Sequence, residues 1–218
     1  MAVTVATNGY HQCAVNGSAV QSLTFMAWVN YTNSVSAMKY IIGTYPTGLS
    51  LKTNSTGASV NYGTNNSAGV IDNTGSAFPT SGWTHLAITG TFPSTSSIII
   101  KGYFNGKLDY SGTGGGTYSD WTSIVIGNDS RFGGSQTFTS AFREVRIWYR
   151  ELTQAEIQRE AFLSAPVSRA ALRHWLPFKT NSLDQGTGQL WTTSLTSFGG
   201  VNDISLPLRN PKRRRFIL

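Results

Sequence analysis

The run Ser81-Gly82-Trp83-Thr84-His85-Leu86-Ala87-Ile88 opens the stretch that decides the fold. Period-two alternation puts Leu86 and Ile88 on one face and Trp83, His85 and Ala87 on the other, the pattern of a strand with two chemically different sides. Downstream, Ile98-Ile99-Ile100-Lys101-Gly102-Tyr103-Phe104 and Lys107-Leu108-Asp109-Tyr110 are separated by Asn105-Gly106. Both of those residues tolerate positive φ, so the pair predicts a two-residue type I′ hairpin. Ser123 to Gly127 and Phe142 to Tyr149 supply two further strands, the second alternating only loosely. Behind them, Leu152-Thr153-Gln154-Ala155-Glu156-Ile157 carries a capping box: the Thr153 hydroxyl can accept from the Glu156 amide while the Glu156 carboxylate accepts from the Thr153 amide. A short helix is expected to start there.

In chain order, W-x-H-L (Trp83 to Leu86), Y-F-N-G-K-L (Tyr103 to Leu108), I-x-I-G (Ile124 to Gly127) and V-R-I-W-x-R-x-L-T-x-x-E-I (Val145 to Ile157) resemble the laminin-G-like, pentraxin-like branch of the concanavalin A-like jelly rolls. Leu23 to Val29 is similar to that family's early core strand. The resemblance implies an all-β fold of two antiparallel sheets packed face to face, with one or two short helices. It names no activity, because one fold hosts many functions. Two features depart from the family pattern. Arg143 stands where an acidic residue is common, and the Trp175-Leu176-Pro177-Phe178 segment lies near the C-terminal end.

Working outward, residues 1 to 20 read as one or two edge strands with a turn at Asn16-Gly17. Residues 23 to 30 form a core strand, and Tyr40 to Gly43 a second, followed by a turn at Tyr45-Pro46-Thr47-Gly48. Leu49 to Lys52 and Ala58 to Tyr62 alternate weakly, as half-exposed strands do. Gly63 to Ser81 reads as a long rim loop, and Pro166 to Leu172 as a second short helix. The glycines of Gly112 to Tyr118 lack the Lys-Ser/Thr ending of a phosphate loop, so they predict a flexible hairpin connection. A jelly-roll domain over residues 1–205 and a basic tail over 206–218 result.

At 218 residues, with 39% hydrophobic and 12% charged side chains, the chain suits one β-rich domain with many turns. No run of about 18 apolar residues is present to cross a membrane as a helix. The N-terminus shows no basic region followed by an apolar run, so a standard secretory route is not expected. Cys13 is alone and forms no intramolecular disulfide. Of the seven net positive charges, five arise between Arg209 and Arg215, which leaves the body near neutral.

Paired carboxylates for glycoside hydrolysis should alternate along one strand, and no E-x-D-x-E run occurs among the ten acidic residues. Glu144, Glu151, Glu156 and Glu160 are better explained by capping and ion pairing. No catalytic residue, cofactor or structural metal is expected. The resemblance points to Asn128 and Asp129 as the weak candidates for calcium, which needs about six or more oxygen ligands. Glycan binding needs exposed aromatic faces beside amides and carboxylates, and Tyr45, Tyr62, Tyr118 and Trp121 lie in or near turn-rich segments.

A non-catalytic structural or adhesion protein follows, displayed on a particle; the resemblance extends to bacteriophage virion proteins of the head-decoration or tail type. The alternative is a lectin-like carbohydrate-binding module, reaching the outside by a non-standard route if the protein is extracellular. The tail is expected to be the partner-binding arm. Its Arg209, Lys212, Arg213, Arg214 and Arg215 would pair with carboxylates of another virion protein, and Phe216, Ile217 and Leu218 would anchor in an apolar groove. Cell-surface glycans are the second partner class, and a homo-oligomer or lattice-bound state is expected. Nucleic acid is disfavoured, since four contiguous charges without a basic domain surface give weak, salt-sensitive binding.

Overall fold

The structure is a computed structural model that describes residues 3–15, 20–31, 37–65, 71–79, 81–115, 121–128, 136–178, 185–187 and 192–198. The long strand β1 (Val3–Ala14) is followed by β2 (Ser22–Asn30), β3 (Tyr40–Tyr45), β4 (Gly48–Thr53), β5 (Ser59–Asn65) and β6 (Ile71–Ala77). Then come β7 (Trp83–Ser94), β8 (Ser97–Phe104), β9 (Lys107–Gly115), β10 (Ser123–Ile126), β11 (Ala141–Trp148), the helix α1 (Gln154–Ala161), β12 (Leu172–Leu176) and β13 (Thr192–Phe198).

Two antiparallel six-stranded sheets share β1. Its C-terminal half, His11 to Ala14, pairs with β10 and completes the first sheet, β6-β5-β4-β3-β10-β1. Its N-terminal end, Val3 and Thr4, pairs with β11 and joins the second sheet, β1-β11-β2-β7-β8-β9. Where β1 leaves β11, β12 takes the vacated edge, opposite Val145 to Trp148. β13 runs beside β1 across an irregularity between Val5 and Tyr10.

Alternation explains how the sheets close on one another. Leu23, Phe25, Ala27 and Val29 of β2, Leu86 and Ile88 of β7, and Leu49, Leu51, Val60 and Tyr62 of the first sheet all enter one core. Gly90 and Gly102 make room for the large residues opposite. A Cβ at Gly102 would sit 2.3 Å from the Tyr62 ring, so only glycine lets that ring lie flat on β8. On the side away from β1, the edge strands β6 and β9 are clipped together by Asp109, which accepts from the Ser76 backbone N–H and hydroxyl, each at 2.7 Å. That clip satisfies an edge amide that would otherwise be open to a foreign strand.

The predicted hairpin is present, with Asn105 at φ 50° and Gly106 at φ 77°. So is the capping box at Thr153 and Glu156. Several expectations are corrected. β1 is a single interior strand that bridges the sheets rather than an edge, because β10, β11 and β13 pair with its backbone along both edges. β4 is buried throughout instead of half exposed. The supposed rim loop contains β6, which pairs with β5 from Ser59 to Thr64. Gly112, Gly114 and Gly115 belong to β9 and pair with β8, so the connection begins later. No helix forms over Pro166 to Leu172; the segment leads directly into β12. The Asn16-Gly17 turn and the tail lie outside the described residues, as does the boundary near residue 205.

Candidate functional site

The outer face of the first sheet is unusually polar for a buried surface. Register places Gln12, Val125, Gly43, Ser50 and Gly63 in one cross-strand row, with Tyr40, Lys52 and Asn61 in the next and Ser123 beside Tyr45. Their neighbours along each strand, Leu49, Leu51, Tyr62, Ile124 and Ile126, point to the core, so these residues point away from it. Tyr40 swings across the space a Cβ would take at Gly43 and donates its hydroxyl to the Thr44 carbonyl. Ser50, Lys52, Asn61 and Ser123 are all buried, while Tyr45 and Gln12 are half-buried. Ser50 Oγ, Asn61 Oδ1 and Ser123 Oγ find no hydrogen-bond partner. Buried polar atoms are normally satisfied, so these three are positions on the face where an ordered water would complete the hydrogen bonding.

Of the aromatic residues proposed for glycans, Tyr45 is on this face. Tyr62 and Trp121 are not: both are fully buried in the core, Tyr62 stacked against Tyr110 and Trp121 set edge-on to Tyr149. Turn-rich surroundings suggested exposure for them, but cross-strand pairing with Leu51 fixes Tyr62 inward. Tyr118 lies outside the described residues. Asn128 is buried, with its Oδ1 unpartnered, and Asp129 lies outside the described residues, so the calcium candidates are not brought together as a described site. Among the described residues no three His, Cys, Asp or Glu side chains gather.

The outer face of the second sheet is covered differently. α1 packs Ile157 onto Met26, Ala87, Tyr103 and Trp148, forming a second small core. Beneath its C-terminal end lies a buried charge cluster. Arg146 donates to Glu160 Oε2 at 2.9 Å, to the Glu160 carbonyl at 2.8 Å, to Glu144 Oε2 at 3.0 Å and to the Leu163 carbonyl. Glu144 also accepts from Trp175 Nε1, and Glu160 from the backbone N–H groups of Val167 and Ser168. Glu144 sits at φ 50°, in the β11 bulge that aims it and Arg146 to the same side. His85 lies next to this cluster, edge-on to Trp28. Burial, reinforced by the Arg146 charge, lowers its pKa to about 3.

The remaining described carboxylates are engaged as well. Asp109 holds Ser76, Glu151 accepts from Lys101 and Thr91, and Glu156 pairs with Arg150. Hydrogen bonding from Arg150, with help from Thr153, lowers Glu156 to about 2.

A β-sandwich whose sheets share a strand, with a capped helix laid on one outer face, defines a lectin/glucanase-type jelly roll. The chain belongs to the concanavalin A-like lectin/glucanases superfamily, whose laminin-G family model matches residues 5–158. Among solved structures it is similar to a Bacteroides ovatus protein assigned to carbohydrate binding, at 18% identity and a TM-score of 0.67, over 92% of this chain and 60% of that one. It is similar to the heptameric SAP-like pentraxin of Limulus polyphemus at 12% identity and a TM-score of 0.62, over 94% of this chain and 97% of the other. Botulinum neurotoxin type C, whose uptake by cells depends on interaction with two ganglioside molecules, matches at 14% identity and a TM-score of 0.53, over 72% and 40%. At such identities the likeness is one of fold, and the chain spans 60% of the Bacteroides protein's length. No curated protein matches the chain.

Proposed function

We propose that this chain is a non-catalytic adhesion module that binds glycans on the outer face of its first sheet. The observation that carries this is the polar outer face itself, on which Ser50 Oγ, Asn61 Oδ1 and Ser123 Oγ lack partners and the half-buried Tyr45 ring pairs across from Ser123. Sugar hydroxyls both donate and accept, which suits hydroxyl and amide groups lacking partners, and a sugar's C–H face suits the ring. Hydrolysis is disfavoured because each of the five carboxylates whose side chains are described already holds a structural hydrogen bond. A free nucleophile and acid across one glycosidic bond are therefore not in place among the described residues.

The test separates ligand binding from folding. Asn61→Ala and Ser50→Ala remove groups whose burial is uncompensated, so their urea midpoints should stay level or rise. Binding to a glycan array should nevertheless fall about tenfold, a loss of roughly 1.4 kcal/mol. Wild-type protein that binds no glycan, or variants that bind as well as wild type, would refute the reading.

The module is displayed on a virion in this proposal, attached through its basic tail. Support comes from the sequence alone: Pro207 and Pro211 disfavour regular structure, and four consecutive cations precede Phe216-Ile217-Leu218. Deleting residues 210–218 should leave the melting temperature unchanged and abolish particle incorporation. Normal incorporation of the truncated chain would end the idea.

A further inference from the structure

A cleft of about 460 Å³ opens where the segment before α1 meets the outer face of the second sheet, and it takes no part in the site proposed above. Its volume is that of an ordinary ligand site. Leu108 of β9, Leu152 and the Tyr103 ring give an apolar floor; Lys101, Glu151 and Gln154 stand at the rim. Leu108 is 49% exposed, an unusual state for a leucine in a concave place. Tyr103, 3% exposed overall, lines the cleft with Lys101 and Leu108. Lys101 Nζ and Glu151 Oε1 are 2.8 Å apart and both remain partly open to solvent. The pair leaves two ammonium N–H groups and free carboxylate lone pairs side by side.

We infer that this cleft is a second saccharide site, taking one uncharged pyranose unit through two vicinal hydroxyls. The adjacent ammonium and carboxylate form a donor–acceptor pair at the spacing of neighbouring sugar hydroxyls, one hydroxyl accepting from Lys101 while the next donates to Glu151. The Tyr103 hydroxyl bonds a third oxygen, and the C–H face of the ring covers Leu108. An anion is disfavoured, since the ion pair makes the rim neutral and Glu151 would repel it. An apolar ligand would strip water from the charged pair without replacing it. The inference shares the ligand class of the proposed function but not its site, and its observations are independent of the first sheet.

Titration of the nitrogen-labelled full chain with methyl glycosides of glucose, galactose and mannose, followed by amide NMR, tests it. Saturable shifts are expected at Lys101, Tyr103, Leu108 and Gln154. Tyr103→Phe keeps the packing and should weaken them about five- to tenfold, the effect of one lost hydrogen bond. Leu108→Asp, at an exposed position, should abolish them, and Asn61→Ala should leave them unchanged. Shifts confined to the surroundings of Ser50 and Asn61 would overturn this site while upholding the first. Cleft shifts that persist in Leu108→Asp, or no shift with any of the three sugars, would overturn it as well.

Discussion

Replacing Arg146 by Met should lower the melting temperature by about 10 °C, the largest effect of any single substitution in the outer layer. Arg146 is 1% exposed and is the shared partner of Glu144 and Glu160, themselves 3% and 0% exposed. Without the guanidinium, two carboxylates stay buried close together with only the Trp175 indole and two backbone amides to hold them. Leaving a buried charge uncompensated costs about 3–5 kcal/mol, and a domain of this size loses about 2–4 °C per kcal/mol. The wild-type cluster need not itself be strongly stabilising, since desolvation of three ions offsets much of their attraction. Adding Glu144→Gln and Glu160→Gln to Arg146→Met should therefore recover a good part of the loss. Thermal melts of the three proteins check this, and a single variant that melts within about 2 °C of wild type would show that the cluster does not anchor the layer.

Mild acid should destabilise the protein through its two buried histidines. His11 is fully buried against Phe178, and burial lowers it from the usual 6.5 to about 4; His85 falls to about 3. Both fold as neutral rings. Between pH 6.5 and these lowered values the unfolded chain binds protons that the native chain refuses, so stability is complete above about pH 6.5 and drains away as pH falls. At one pKa unit per about 1.4 kcal/mol, lowering pH to 5 should remove about 2 kcal/mol for each histidine. The depressed Glu156 adds its own loss only below its ordinary value of 4.5, a separate window. Urea midpoints measured from pH 7.5 to pH 5 should decline steadily, and His11→Phe with His85→Phe should flatten the slope. A midpoint that does not move over that interval would mean that both rings accept protons in the native state as readily as in the unfolded chain.

Much of the second sheet could be read from the sequence because its residues carry local signals. Trp83 to Ile88 alternates cleanly, Asn105-Gly106 demands positive φ, and Thr153 with Glu156 caps a helix without help from elsewhere. The first sheet was less legible. β4 and β5 alternate Leu and Tyr with Ser, Lys and Asn, which reads as a half-exposed surface, and nothing local says that the polar side is buried too. β6 is built of Asp, Asn, Thr, Gly and Ser and becomes a strand only because β5 offers it hydrogen bonds. The candidate sites were harder still. Tyr62 looked available until its cross-strand partner Leu51 turned it inward. The cleft joins Lys101, Tyr103 and Leu108 to residues some fifty positions later, and the signal that could have located it was the lone Leu108 on an otherwise polar edge strand.

The shared strand β1 also governs when the sandwich can exist at all. Its partners are β10, β11 and β13, none of which is synthesised until more than a hundred residues after it. At about 5–20 residues per second, the first strand waits on the order of ten seconds as an unpaired ribbon before Trp148 leaves the ribosome. Neither sheet can complete early, since each needs that same ribbon. Folding must then close very long loops in one late, concerted event, which makes this chain a slow folder that depends on its nascent first strand staying soluble while it waits.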